Sequence, residues 1–102
     1  MSTNKKWPFD QSPNCACITL KKVINKTAPI LHVVHDLEDH GWQFLGLEQP
    51  KEEDAAVVGM ETILEIDPSV EEVAHIPPGW RAWRKSKETA WIIEKDTDEE
   101  GS

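Results

Sequence analysis

The segment Ile30-Leu31-His32-Val33-Val34-His35-Asp36-Leu37-Glu38-Asp39-His40-Gly41-Trp42-Gln43-Phe44-Leu45-Gly46-Leu47 decides the fold of this chain. Side chains on a strand alternate between two faces, and the segment reads as two such runs. In the first, Ile30, His32 and Val34 share one face and Leu31, Val33 and His35 the other. In the second, Trp42 and Phe44 lie opposite Leu45 and Leu47. Leu37 to Gly41 joins them as an acidic turn, in which Gly41 is expected to supply a positive φ. Both faces of the pair are largely apolar. The two strands therefore belong at the centre of a sheet, covered on at least part of each face.

The elements on either side follow from the same pattern. Cys15 to Leu20 alternates as a strand. Lys21 to Pro29 is a turn or a single helical turn, because Pro29 biases Ala28 away from the helical region. Ala55 to Val58 is a short apolar run, either a strand or the buried entry to a helix. Met60, Ile63 and Leu64 have helical spacing. Asp67 caps a further helix, with Pro68 at its first position, and Val70, Val73 and Ala74 face the core. Pro77-Pro78-Gly79 ends it. Trp80 to Lys85 and Ala90 to Glu94 are two more strands, with Trp80 and Trp83 facing opposite ways. This order gives an α+β fold: an antiparallel sheet of about five strands with two short helices on one side. Residues 1–13 are expected as a flexible N-terminal arm pinned by Trp7 and Phe9. Residues 14–95 are expected as a single domain, and 96–102 as a disordered acidic tail.

A chain of 102 residues holds one modest core. It contains no apolar run near the roughly 18 residues of a membrane span. Lys5 and Lys6 are not followed by the apolar stretch of a secretory signal, so a cytoplasmic setting is expected. Cys15 and Cys17 would sit about 7 Å apart on a strand, too far for an unstrained disulfide. They read as free thiols in a reducing compartment.

The net charge of −8 is unevenly spread. Residues 1–35 carry +4, 36–72 carry −11, 73–95 carry +3 and 96–102 carry −4. A concentrated acidic middle gives a face that attracts basic partners and repels nucleic acid. Ordinary solvation of turns and helix faces accounts for the same acids without any partner. The candidate partner-binding residues are Asp36, Glu38 and Asp39 in the hairpin turn, and Glu48, Glu52, Glu53 and Asp54 after it. Together they are expected to form one acidic rim.

No motif for chemistry emerges. The Cys and His residues lack the paired spacing of a zinc site. Cys15 or Cys17 beside His32 or His35 on a neighbouring strand is the one arrangement open to nucleophilic catalysis, and no oxyanion loop accompanies it. No phosphate-cradling glycine loop is present. No catalytic residue, metal or cofactor is therefore expected. The five tryptophans read as core packing with one or two interface anchors.

Asp39-His40-Gly41-Trp42-Gln43-Phe44-Leu45 resembles the thirty-third family of polymorphic-toxin immunity proteins of bacteria, long known as a domain of unknown function. The shared pattern is an apolar strand (Ile30 to Val34), an acidic turn, an acid-x-Gly-Trp-x-Phe strand and an acidic loop. Ile66-Asp67-Pro68, Pro77 to Trp80 and Trp91 continue it, so that it covers Asn14 to Ile92. His40 stands where that pattern often has a small polar residue. The resemblance implies a non-enzymatic protein that neutralises a cognate toxin. The acidic segment would then cover a basic surface such as that of a nuclease. Two other readings compete. One is a small-ligand or regulatory module with a pocket lined by Trp80 and Trp83. The other is a thiol- or metal-dependent enzyme using Cys15 or Cys17.

Overall fold

The computed structural model describes residues 7–95; the expected tail over 96–102 and the first six residues of the expected arm lie outside them. The order is β1 (Ala16–Leu20), α1 (Lys21–Ile24), β2 (His32–His35), β3 (Trp42–Leu45), β4 (Ala55–Gly59), α2 (Met60–Ile66), β5 (Trp80–Trp83) and β6 (Ile92–Lys95). Two 3-10 turns, Glu52–Asp54 and Pro68–Val73, complete it. The class is α+β, with a six-stranded sheet in the order β4-β1-β3-β2-β5-β6.

The sheet differs from the expected antiparallel one in a single pair. β1 and β3 run parallel, with Ile18 beside Gln43 and Thr19 beside Phe44. The cause is the path of the chain. α1 carries it past one strand position, β2 forms beyond, and the hairpin folds β3 back into the gap. The other four pairs are antiparallel. The sixth strand is β4, whose five small or apolar residues pair along the whole of β1.

The hairpin is central, as its two apolar faces require. His35 pairs with Trp42 and Val33 with Phe44. These four side chains are buried on one face of the sheet, together with Cys17, Thr19 and Ala82. Val23, Met60, Ile63, Val70 and Val73 join the same core from the helical segments, and Ile76 from the stretch that follows them. Phe9 also belongs to it, at 6 % exposure, and meets Trp42 edge-on with ring centroids 4.9 Å apart. The packed unit thus reaches back into the expected arm.

The local signals hold with two adjustments. Asp67 caps as expected, accepting from the Ser69 N–H at 3.1 Å, but the turns that follow are 3-10. In the hairpin turn the positive φ falls on His40, at 60°, and not on Gly41. At position 41 a Cβ would come 3.0 Å from Asp39 Oδ1, so the exposed carboxylate would have to give by a few tenths of an ångström. Gly79, in contrast, has a φ of 88° and donates to the His35 carbonyl at 2.7 Å, which turns the chain from Pro77-Pro78 into β5.

Candidate functional site: two acidic ends of one sheet

The acids expected to form one rim fall into two groups. Asp36, Glu38 and Asp39 precede β3, and Glu48, Glu52, Glu53 and Asp54 follow it. The length of β3, about 13 Å for four residues, lies between them. A turn at one end of a strand and a loop at the other cannot merge, so the single rim is corrected to two acidic ends.

Within the turn, two of the three acids serve the backbone. Asp36 Oδ1 accepts from the Glu38 N–H at 2.8 Å, and Asp39 Oδ1 accepts from the Gly41 N–H at 2.8 Å. These local bonds hold the chain in its turn and stand in for ladder bonds the turn cannot make. Glu38 is exposed and makes no such bond among the described residues.

The second group is built differently. The chain leaves β3 at Gly46, passes Pro50 and tightens into the 3-10 turn Glu52–Asp54 before entering β4. Glu52 and Glu53 are exposed. Glu48 and Asp54 border a cavity of about 310 Å³, which Leu20, Leu31, Leu47, Pro29 and Pro50 also line. Lys22 and Lys51 share its lining, and Lys22 Nζ lies 3.6 Å from Glu48 Oε1. Both partners of that pair are well exposed, so it is worth little to stability. The lining mixes apolar side chains with two acids and two lysines.

The remaining sites suggested by composition do not assemble. Trp80 pairs across from His35 on the covered face, whereas Trp83 is three positions on and faces the other way, so they do not line one pocket. Cys17 is buried on β1 beside β4, and its thiol donates to the Val58 carbonyl at 3.4 Å. Burial, with the neighbouring Cys15, pushes its pKa up to about 12. Continuing the parallel register sets Cys17 beside Trp42, and Trp42 stands between it and His35. Two strand spacings, about 9.6 Å, separate the Cys17 and His35 backbones. Cys15 Sγ bonds to Gln11 Oε1 at 3.0 Å. No three of His, Cys, Asp and Glu converge as metal ligands among the described residues.

The most constrained polar groups are ones that no local pattern revealed. Arg84 is 2 % exposed, and its guanidinium reaches Asp67 Oδ2 at 2.8 Å, the Ile30 carbonyl at 2.9 Å and Ser69 Oγ at 3.0 Å. It also lies 4.1 Å from the Trp91 ring centre. This explains two parts of the wider motif, Asp67 and Trp91, as scaffold. His35, also buried, donates from Nδ1 to the Ile76 carbonyl at 2.8 Å, since a carbonyl only accepts. Its Nε2 faces Asp10 Oδ2 at 3.3 Å. No helix of the described residues is long and apolar enough to cross a membrane. Comparison with known protein families, with curated proteins and with solved structures finds no match for this chain.

Proposed function

We propose that the chain is a cytoplasmic, non-catalytic binding protein of the immunity type, which neutralises a basic protein toxin by covering it. The single observation that carries this reading is the loop Glu48 to Asp54. It holds four acids in seven residues, and two of them, Glu48 and Asp54, line a cavity next to the sheet together with Lys22, Lys51 and several apolar side chains. A basic surface, such as one built to hold phosphate, would be drawn by the acids, and one apolar side chain would seat in the cavity. Charge in such complexes mainly speeds encounter, while a desolvated anchor slows release. The resemblance through Asp39 to Leu45 supports the same reading. Most of the residues that carry it, including Gly41, Trp42, Asp67 and Trp91, have structural duties, so it speaks for the scaffold more than for the contact surface.

The test is to express the chain with the product of its neighbouring reading frame and measure survival and association rate. Protection of the host supports the reading, and failure to protect removes it. Reversal of Glu52 and Glu53 to Lys should slow association by about tenfold at low salt and flatten its salt dependence. An unchanged rate would remove the electrostatic part. The cavity alone also favours a second reading, since about 310 Å³ is at the low end for small-ligand sites. Saturable binding of a metabolite that leaves the Glu52 and Glu53 variants unaffected would point there.

A further inference from the structure

β4 ends the sheet on one side, and its outward backbone is set for pairing. The Met60 N–H donates to the Cys15 carbonyl at 2.9 Å. That bond fixes the phase of the β1–β4 ladder, because antiparallel pairs alternate between bonded and unbonded. Thr19 with Ala56 and Cys17 with Val58 are the bonded pairs, and Ile18 with Val57 is an unbonded one. Val57 therefore turns both its N–H and its C=O away from β1. The Ala55 carbonyl and the Gly59 N–H point the same way, at the spacing that one added strand would meet.

Natural sheets guard such an edge with charges, proline or a bulge. The other edge strand carries Glu94 and Lys95. β4 has no charge, no proline and an unbroken register over five pairs. Val57 is 68 % exposed and Ile18, across from it on the same face, is 43 % exposed. The exposed apolar side chains and the unguarded edge thus occur together.

Charge at the ends selects the occupant. The Ala55 end follows directly on Glu52, Glu53 and Asp54, with Lys51 the one base in the segment. The Gly59 end leads to the exposed Glu61. The Asp36 to Gly41 turn lies at this same end, where Asp36 and Asp39 line a groove with Ala16, Ile18 and Gln43. A second copy paired antiparallel about Val57 would bring the Glu52–Asp54 turn of each copy towards the Glu61 end of β4 in the other, acids towards acid. We propose that β4 instead receives an extended segment of a partner protein, apolar at its centre and basic at both ends, as an added strand. This rests on the acidic-surface reading above and specifies how the partner would be held. It gives the Glu52 to Asp54 acids, which lead directly into β4, a task in holding the partner, while Asp36 and Asp39 lie beyond β1 from that strand.

The test uses the full chain and a synthetic peptide of alternating valine and threonine with lysines at both ends. Amide exchange at Val57 and Gly59 should slow when it is added, and a peptide ending in glutamates should have no effect. Val57→Pro removes an outward N–H while leaving the β1 ladder intact, and should weaken peptide binding by about tenfold. Val57→Lys, a guarding charge, should weaken it too and serves if the proline variant fails to fold. Peptide binding that is unchanged in the folded variants, or protection elsewhere on the sheet, overturns the proposal. So does slow exchange at Val57 without peptide, whether from a second copy or from this chain's own residues. If a basic toxin is still bound in a charge-dependent way when the peptide fails, the strand mode is wrong and the acidic surface stands. If the peptide binds and no toxin is neutralised, the edge stands and the immunity reading fails.

Discussion

The imidazole of His35 lies flat against the indole of Trp42, with ring centroids 4.0 Å apart and planes 17° from parallel. The two residues are cross-strand partners at the turn end of the central hairpin. Both also reach the same carboxylate. The Trp42 indole N–H donates to Asp10 Oδ1 at 3.0 Å, and His35 Nε2 lies 3.3 Å from Asp10 Oδ2. The segment before β1 is thereby fastened to the hairpin through Asp10, while Phe9 fills the space beside Trp42.

This fastening predicts a large cost for changes in a segment that reads as an arm. Phe9→Ala should lose about 3–5 kcal/mol of unfolding free energy, as for other buried aromatic truncations. Asp10→Ala leaves the buried indole N–H without its acceptor and should lose about 1–3 kcal/mol. Urea unfolding followed by tryptophan fluorescence measures both. A loss under about 0.5 kcal/mol in each, the usual surface value, would mean the segment does not stabilise the hairpin.

Arg84 and Asp67 predict a non-additive pair. Asp67→Ala leaves a buried guanidinium without its counter-charge and should cost about 3–5 kcal/mol. The double variant Asp67→Ala with Arg84→Met removes that charge and should be more stable than Asp67→Ala alone. A double-mutant cycle by chemical denaturation reads the coupling. Additive losses would show that the two side chains act independently.

How far these features were legible follows from their range. The hairpin, the Asp67-Pro68 start and the Pro77-Pro78-Gly79 turn are carried by neighbours in sequence, and each was readable. The parallel pairing of β1 with β3 joins residues 25 apart, and no local pattern encodes it. Ala55 to Val58 left strand and helix open, because a short apolar run has no period of its own; pairing with β1 decides it. The Arg84 clamp was invisible for the same reason, since it joins residues 17 and 54 positions away. At the candidate site the acids themselves were legible. The backbone duties of Asp36 and Asp39 were not, because bonds to turn amides depend on a geometry that a list of charges does not carry.

Two positive φ values predict sites of easy stabilisation. Lys26 has a φ of 63° just after α1, where its N–H bonds to the Val23 carbonyl and that of Thr27 to the Lys22 carbonyl. This is a left-handed helix end in which glycine is usual. Lys26→Gly should raise stability by up to about 1 kcal/mol, because the strain removed exceeds the entropy that glycine adds to the unfolded chain. His40→Gly, at φ 60°, should behave alike. Thermal melts check both, and a fall in the midpoint of either would contradict the strain assigned there.

The Cys17 thiol predicts a pH dependence of definite sign. Its pKa is raised from 9.0 to about 12, chiefly by burial. In the unfolded chain the thiol ionises first, so the folded state is favoured by the neutral form. The stabilisation is complete below about pH 9 and falls away as pH rises from there towards 12. Wild-type protein should therefore lose stability over this window more steeply than Cys17→Ala, although lysines titrate in both. Alkylation should give the same answer: iodoacetamide at neutral pH should modify Cys17 only after denaturation. Parallel stability profiles, or rapid labelling of native Cys17, would contradict its burial as a neutral thiol.

The two acidic groups should separate in one set of variants. Asp36→Ala and Asp39→Ala remove acceptors from turn amides and should each cost about 1 kcal/mol of stability. Glu52→Ala and Glu53→Ala remove exposed charges with no backbone duty among the described residues, and should change stability by less than about 0.5 kcal/mol. Their effect should fall on the rate of association with a basic partner. The turn variants, which keep Glu52 and Glu53, should retain most of that rate. Denaturation and stopped-flow association on the same samples separate the two roles. If Glu52 and Glu53 prove to stabilise the fold and leave association untouched, the loop is scaffold, and the contact surface must be sought elsewhere on the sheet.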